Sequence, residues 1–196
     1  MSNEVQTEVW LVRHGETEWS RDGRHTGTTD LPLTATGEEQ ARRLLGHLDP
    51  AAFDQVWSSP RQRARTTAEL AGFSGEDAPQ IVPELAEWDY GDYEGETSDQ
   101  IHEATPDWTI WTHGAPGGES VDQARARFEG VVRRLQTSGA ARVLCFAHGH
   151  SLRALSLCWM DLGFAVGERF PLETGTVSVL GWAKGDPALE RWNCRP

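Results

Sequence analysis

Two histidine–glycine pairs could do chemistry in this chain: His14-Gly15, within Arg13-His14-Gly15-Glu16, and His148-Gly149, within Phe146-Ala147-His148-Gly149-His150. A neutral imidazole is a competent nucleophile near pH 7, because its unperturbed pKa is about 6.5. One histidine alone is more often structural than catalytic, but a matched pair carries more weight. Between the two pairs, the run Ser58–Ala68 brings Arg61, Arg63 and Arg65 to the start of a helix. A helix N-terminus with arginines is a ready anion site, although Arg61 and Arg65 fit a solvated face equally well. Glu84, Glu87, Asp89, Asp92 and Glu94 follow within one short stretch. Most of these acids fit solvated surface, and one beside the site would protonate a leaving alkoxide. A nucleophile, arginine forks on the equatorial oxygens and an acid for the leaving oxygen are what cleavage of a phosphate ester requires. A covalent phospho-enzyme would divide one hard displacement into two. The chain has no HExxH, Walker loop or EF-hand spacing. A metal held by Asp89 and Asp92 with His148 and His150 is the weaker alternative, so the reading is of a site without metal or cofactor.

The elements needed to position these groups are legible in outline. Val9–Val12 is a short apolar run, as a buried parallel strand shows, and Val143–Ala147 is the clearest strand of the chain. Val56-Trp57, Ile81-Val82, Val177–Leu180 and Leu189–Trp192 read as further strands. Helical spacing appears over Thr34–Leu48, through Thr66–Leu70, and after Gly149. It appears again from Ser120, where Gln123 completes a capping box and Ala124, Phe128, Val131, Val132 and Leu135 form the apolar stripe. Alternating strands and helices predict an α/β fold with a mostly parallel sheet covered on both faces, a three-layer α/β/α arrangement. In such sheets ligands bind beyond the carboxyl ends of the strands, where both His-Gly pairs stand. Residues 83–117 read as irregular, and a loop of that length is usually functional. Trp88, Trp108 and Trp111 lie in polar surroundings there, as candidates for a pocket wall.

The net charge of −12 argues against a nucleic-acid surface, but leaves room for a small anionic substrate met by a few converging cations. The three cysteines, Cys145, Cys158 and Cys194, have no regular spacing and read as reduced thiols, the first two in the core. The N-terminal stretch shows no signal-peptide pattern and no apolar run suits a membrane span. The expectation is a cytoplasmic protein with no membrane partner. The oligomeric state is left open, a homo-oligomer included.

Taken in order, these residues resemble the signature of the histidine phosphatase superfamily, the phosphoglycerate mutase-like proteins. The resemblance runs from Trp10 to about Asn193. It rests on Arg13–Thr17, Leu31–Thr34 with Gly37, Ser59 with Arg63 and Thr67-Ala68, Glu87 with Gly91 and Glu94-Gly95, Pro116–Ser120, and His148-Gly149. It implies one domain over residues 1–196 with a phosphoglycerate mutase-like fold around a mixed sheet. By resemblance His14 is the phosphorylated histidine, Arg13, Arg63 and His148 cradle the phosphoryl group, and Glu87 is the proton donor. The segments Trp19–Asp30, Glu87–Gly95, Ile110-Trp111, Phe146–His150 with Arg153, and Thr174–Thr176 are similar to the sedoheptulose-1,7-bisphosphatase type. That likeness would bring Ser20, His25, Thr26, Tyr90, Gly149 and Arg153 to the substrate. Ser20 stands where mutase-type members usually carry Asn, the acid loop lacks the segment by which they grip a bisphosphorylated effector, and His25 stands where the fungal type has a tyrosine. The expected activity is metal-independent hydrolysis of a small phosphorylated sugar or related metabolite. A phosphoglycerate mutase and a catalytically inactive phospho-ligand binder are the alternatives. The latter is disfavoured because His14, Arg13, Arg63, Glu87 and His148 are all present.

Overall fold

A computed structural model describes residues 6–196; residues 1–5, part of the stretch read for a signal peptide, lie outside the described residues. The elements follow as β1 (Glu8–Arg13), α1 (Glu18–Arg21), α2 (Ala35–Arg43), β2 (Gln55–Ser58), α3 (Gln62–Leu70), β3 (Gln80–Ile81), α4 (Ser98–Ala104), α5 (Ile110–His113), α6 (Val121–Gln136), β4 (Arg142–Ala147), α7 (Gly149–Trp159), β5 (Val177–Ala183) and β6 (Asp186–Cys194). The six strands form one sheet in the order β3-β2-β4-β1-β5-β6. The pairings β2–β3, β2–β4 and β1–β4 are parallel, and β1–β5 and β5–β6 are antiparallel. The sheet is therefore mixed, with its parallel part carrying the two His-Gly pairs.

Side chains alternate across the sheet with the period of two that pleating imposes. Val9 and Leu11 of β1 with Val143, Cys145 and Ala147 of β4 face one core, completed by Phe128, Val131 and Leu135 of α6 and Leu152 and Leu155 of α7. Val12 with Leu144 and Phe146 faces the other, against Ala64 and Ala68 of α3 and Leu44 after α2. Both faces of β1 and β4 are buried, which is why their sequences read as continuous apolar runs rather than alternating ones.

Two expectations are corrected. The helix read to Leu48 ends at Arg43, and Leu44 is its C-cap; Leu48 is buried all the same, reached by a tight turn. Residues 83–117 are not wholly irregular but hold α4 and α5. Both helices are too short to show a 3.6-residue period. Thr97 caps α4 in a reciprocal capping box with Gln100. The three cysteines are unpaired; Cys145 is buried, Cys158 half-buried and Cys194 exposed. No helix among the described residues is long and apolar enough to cross a membrane.

Candidate active site

Strands β1 and β4 are neighbours in register, Arg13 opposite Ala147. The residue following each strand end is therefore a histidine at the same level. The His14 and His148 rings meet edge to face with centroids 5.1 Å apart. His14 sits on a loop pinned from two sides. Gly15 N–H donates to Thr67 Oγ1 on α3 (3.0 Å), while Thr34, the N-cap of α2, binds Glu16 O through its own N–H (2.9 Å). The loop and the start of α2 cross so closely that a Cβ on Gly15 would fall 2.2 Å from Gly37 O, and one on Gly37 2.1 Å from Glu16 O. Glycine is required at both points of that crossing.

The hydrogen bonds assign the tautomers. His14 Nδ1 lies 2.7 Å from Gly15 O. A carbonyl only accepts, so Nδ1 carries the proton and Nε2 keeps its lone pair. For His148 the order is reversed. Arg63 Nε–H donates to Nδ1 (3.0 Å), so Nε2 carries the proton and donates to Ser59 Oγ (2.6 Å). His14 Nε2 thus has a free lone pair, and His148 Nε2 has a proton to donate.

Arg63 is fully buried. Besides His148 it binds Thr29 O through Nη1 (2.9 Å) and Thr26 O through Nη2 (2.9 Å), so it also holds the segment carrying His25 and Thr26. Arg13 donates to Leu172 O, and its sealed Nε finds no protein partner. The Arg13 guanidinium lines the same cavity as His14, and a guanidinium fork suits an anion's oxygens. Gly149 leaves room for it, since a Cβ there would meet Arg13 Cζ at 3.3 Å.

Glu87 lies at the N-terminus of α7, the arrangement that backbone donors and the helix dipole favour for a carboxylate. Oε1 accepts from Trp88 N (3.0 Å) and Ser151 N (2.7 Å), and Oε2 from His150 N (3.0 Å). Of the four lone pairs of a carboxylate, three are occupied. The fourth, on Oε2, is where a proton could be held.

A cavity of about 170 Å³ brings together Arg13, His14, Ser20, His25, Thr26, Glu87, Tyr90, Gly149, His150 and Arg153. Every predicted site residue lines it except Arg63 and His148, which are fully buried, His148 against the His14 ring. A larger cavity of about 540 Å³ adjoins it, sharing Arg13 and Ser20. No histidine or cysteine lines it, and its Arg21 and Arg195 are paired with Asp22 and Glu173. Ser20 and Thr26 spend their protons on backbone oxygens, Thr17 O (3.0 Å) and Arg24 O (3.2 Å), and offer lone pairs to the cavity. Ser59 and Thr67, both in the ordered run of the sequence, were not singled out as site residues, because a short hydroxyl side chain carries no signal of its own. Arg61 is half-buried and Arg65 exposed. Among the described residues no three His, Cys, Asp or Glu side chains are grouped to hold a metal.

Burial and the nearby Arg63 and Arg13 charges hold His14 well below its ordinary pKa of 6.5. His148 is lowered in the same way, by burial and then by Arg63. Burial and Arg153 lower His150, and burial takes His25 to about 4. These imidazoles are neutral in the fold but protonate near 6.5 in the unfolded chain. The unfolded state therefore binds more protons as pH falls, and the fold loses stability below about 6.5. The expected loss is on the order of 1 kcal/mol per pH unit for each such group between about pH 6.5 and the depressed folded value. Thermal unfolding at pH 7.5 and pH 5 reads it directly. An unchanged melting temperature would mean that the imidazoles charge in the fold.

The chain belongs to the histidine phosphatase superfamily: residues 9–195 match the model of its branch 1. It is an enzyme of the phosphatase class, a phosphomonoester hydrolase working through phosphohistidine without a metal, on an α/β, phosphoglycerate mutase-like fold. It is 45% identical over 182 residues to an acid phosphatase of Mycobacterium tuberculosis, covering 89% of this chain and 86% of that one. It is 38% identical over 182 residues to sedoheptulose 1,7-bisphosphatase of Saccharomyces cerevisiae, covering 78% and 67%. A solved structure of a functionally characterised Mycobacterium tuberculosis protein superposes with a TM-score of 0.90 at 41% identity, over 96% of this chain and 98% of that one.

Proposed function

We propose that this single-domain protein hydrolyses a small phosphorylated sugar, sedoheptulose 1,7-bisphosphate being the representative substrate, with His14 as nucleophile and Glu87 as proton donor. The observation that carries the assignment is His14 itself: its Nδ1 proton is tied to Gly15 O, and its ring lines the cavity shared by Glu87 and Arg13. The free Nε2 lone pair attacks phosphorus as the ester P–O bond breaks, and the leaving oxygen takes the proton held on Glu87 Oε2. Water then attacks phospho-His14, Glu87 accepts its proton, the N–P bond breaks, and inorganic phosphate leaves with His14 neutral again. Arg13, which lines the cavity beside His14, offers its guanidinium to the phosphoryl oxygens, while Arg63 and His148 place charge and a fixed N–H next to the nucleophile. The sugar reading is supported by the likeness to the yeast bisphosphatase and by a cavity wall of hydroxyl and imidazole groups from Ser20, His25, Thr26 and Tyr90.

The deciding experiment is phosphate release from sugar monophosphates, sugar bisphosphates and phosphoglycerates, with and without EDTA. Turnover should survive EDTA and favour sugar phosphates. Conversion of 3-phosphoglycerate to 2-phosphoglycerate in place of free phosphate, or loss of turnover on chelation, would overturn the reading. In the same assay Glu87→Gln should lose about a hundredfold on alkyl phosphates and much less on aryl phosphates, whose leaving oxygen needs no proton. Equal losses on both would remove Glu87 from the acid role.

A further inference from the structure

His25, His150 and Arg153 line the active-site cavity and also a second one of about 350 Å³, walled on its far side by Trp108, Trp111 and Glu168. The shared wall is built around a dyad: Tyr90 Oη lies 2.6 Å from His150 Nδ1. Burial pushes the Tyr90 hydroxyl well above its ordinary pKa and His150 well below its own, so both are neutral. The phenol then donates to Nδ1, and the His150 proton is locked on Nε2. Neither His150 Nε2 nor Trp111 Nε1 has a hydrogen-bond partner among the described residues, and neither is among the side-chain atoms sealed without one. Both residues line the side cavity, His150 lining the active-site cavity as well.

Much of the remaining lining is aromatic, joined by Ser98, Thr109 and Ile110. The His150 ring lies 5.3 Å from Trp111 and 6.0 Å from His25, and His25 lies 5.4 Å from Trp108. Arg153 gives Nε (3.1 Å) and Nη2 (2.5 Å) to Gly167 O, lays its plane over Trp111 at 4.7 Å, and keeps Nη1 without a partner among the described residues. N–H donors, hydroxyls, aromatic faces and a carboxylate suit an oxygen-rich carbon chain or ring. Such a group presents acceptor oxygens at its edge and C–H bonds on its face.

We infer that the side cavity receives the polyhydroxylated leaving group, and that His150 is a specificity-determining residue that donates from Nε2 to one of its oxygens while Tyr90 holds the tautomer. This rests on the proposed phosphatase reading of the adjoining cavity.

The test uses binding, so that it does not depend on turnover. In a His14→Ala background, the affinities for ribose 5-phosphate and inorganic phosphate are measured by calorimetry, and their ratio isolates the sugar's share. His150→Phe keeps the ring and should lower that ratio about tenfold, the worth of one hydrogen bond with its desolvation. Tyr90→Phe should lower it several-fold, and the double variant should lose no more than His150→Phe alone, since the two act as one unit. A ratio that His150→Phe leaves unchanged, or losses that simply multiply in the double variant, would overturn the inference while the phosphatase reading stands. Failure of inorganic phosphate itself to bind would overturn both.

Discussion

Replacing His14 by alanine should cost about four orders of magnitude or more in turnover, the scale on which enzymes fail when a covalent nucleophile is removed. The ring that meets His14 is not placed to take over. His148 commits Nδ1 to Arg63 and its Nε2 proton to Ser59, so it has no free lone pair on either ring nitrogen. His150 accepts from Tyr90 at Nδ1 and is likewise protonated at Nε2. His25 is neutral too, but its Nε2 faces Ser98 Oγ (3.4 Å) and its ring packs against Tyr90 and Trp108; of the paired His14 and His148, only His14 keeps a free lone pair. Stopped reactions of the wild-type enzyme with labelled substrate should show protein-bound phosphate that survives alkali and is lost in acid, as an N–P bond requires. His14→Ala should show none. A His14→Ala enzyme within about tenfold of wild type would remove His14 from the nucleophile's role, because a positioning residue costs far less.

Arg63→Ala should fail twice over, in stability and in rate. The side chain is fully buried and gives its donors to His148 Nδ1 and to the carbonyls of Thr26 and Thr29. Truncation leaves buried acceptors unpaired and a cavity where the guanidinium stood. An unpaired buried polar group costs about 1–3 kcal/mol, so a total of about 3–4 kcal/mol is expected. The rate should fall by about 10²–10³, the cost of losing one preorganised charge or donor, with the His148 tautomer released as well. Arg63→Lys should recover little of either, because an ammonium cannot reach three divergent acceptors from one planar fork. Urea unfolding and kcat/KM on the same preparations separate the two losses. Wild-type stability for Arg63→Ala would show that the carbonyls at 26 and 29 find water and that the segment is not held by Arg63.

Much of this arrangement was legible in the residues because it is local. The continuous apolar runs at Val9–Val12 and Val143–Ala147 mark strands buried on both faces, and they became β1 and β4 with the histidines at their ends. Ser120 and Gln123 mark the start of α6, as their reciprocal hydrogen bonds bear out. Helices α4 and α5 were not legible, since neither is long enough to display a period. The tryptophans of that region illustrate the limit further. Trp88, Trp108 and Trp111 stand in polar sequence, yet all three are buried; Trp108 and Trp111 wall the side cavity, and Trp88 packs on Trp111 and Phe164.

What the residues determined by themselves was the kind of chemistry and the class of scaffold. Paired His-Gly steps at strand ends, arginines at a helix start and acids in a long connection are local features, carried by residue type and short spacing. What the tertiary structure alone decided was how those groups divide the work. Which ring nitrogen of His14 or His148 holds a proton depends on partners at Gly15, Arg63 and Ser59, the last two 85 and 89 residues from His148 along the chain. The Tyr90–His150 dyad joins groups 60 residues apart. That Arg63 and His148 are buried off the cavity wall, while His14 lines it, is likewise a property of the packed fold. Periodicity and propensity describe the backbone within a few turns; a tautomer is set by whichever distant donor or acceptor the fold delivers to each nitrogen.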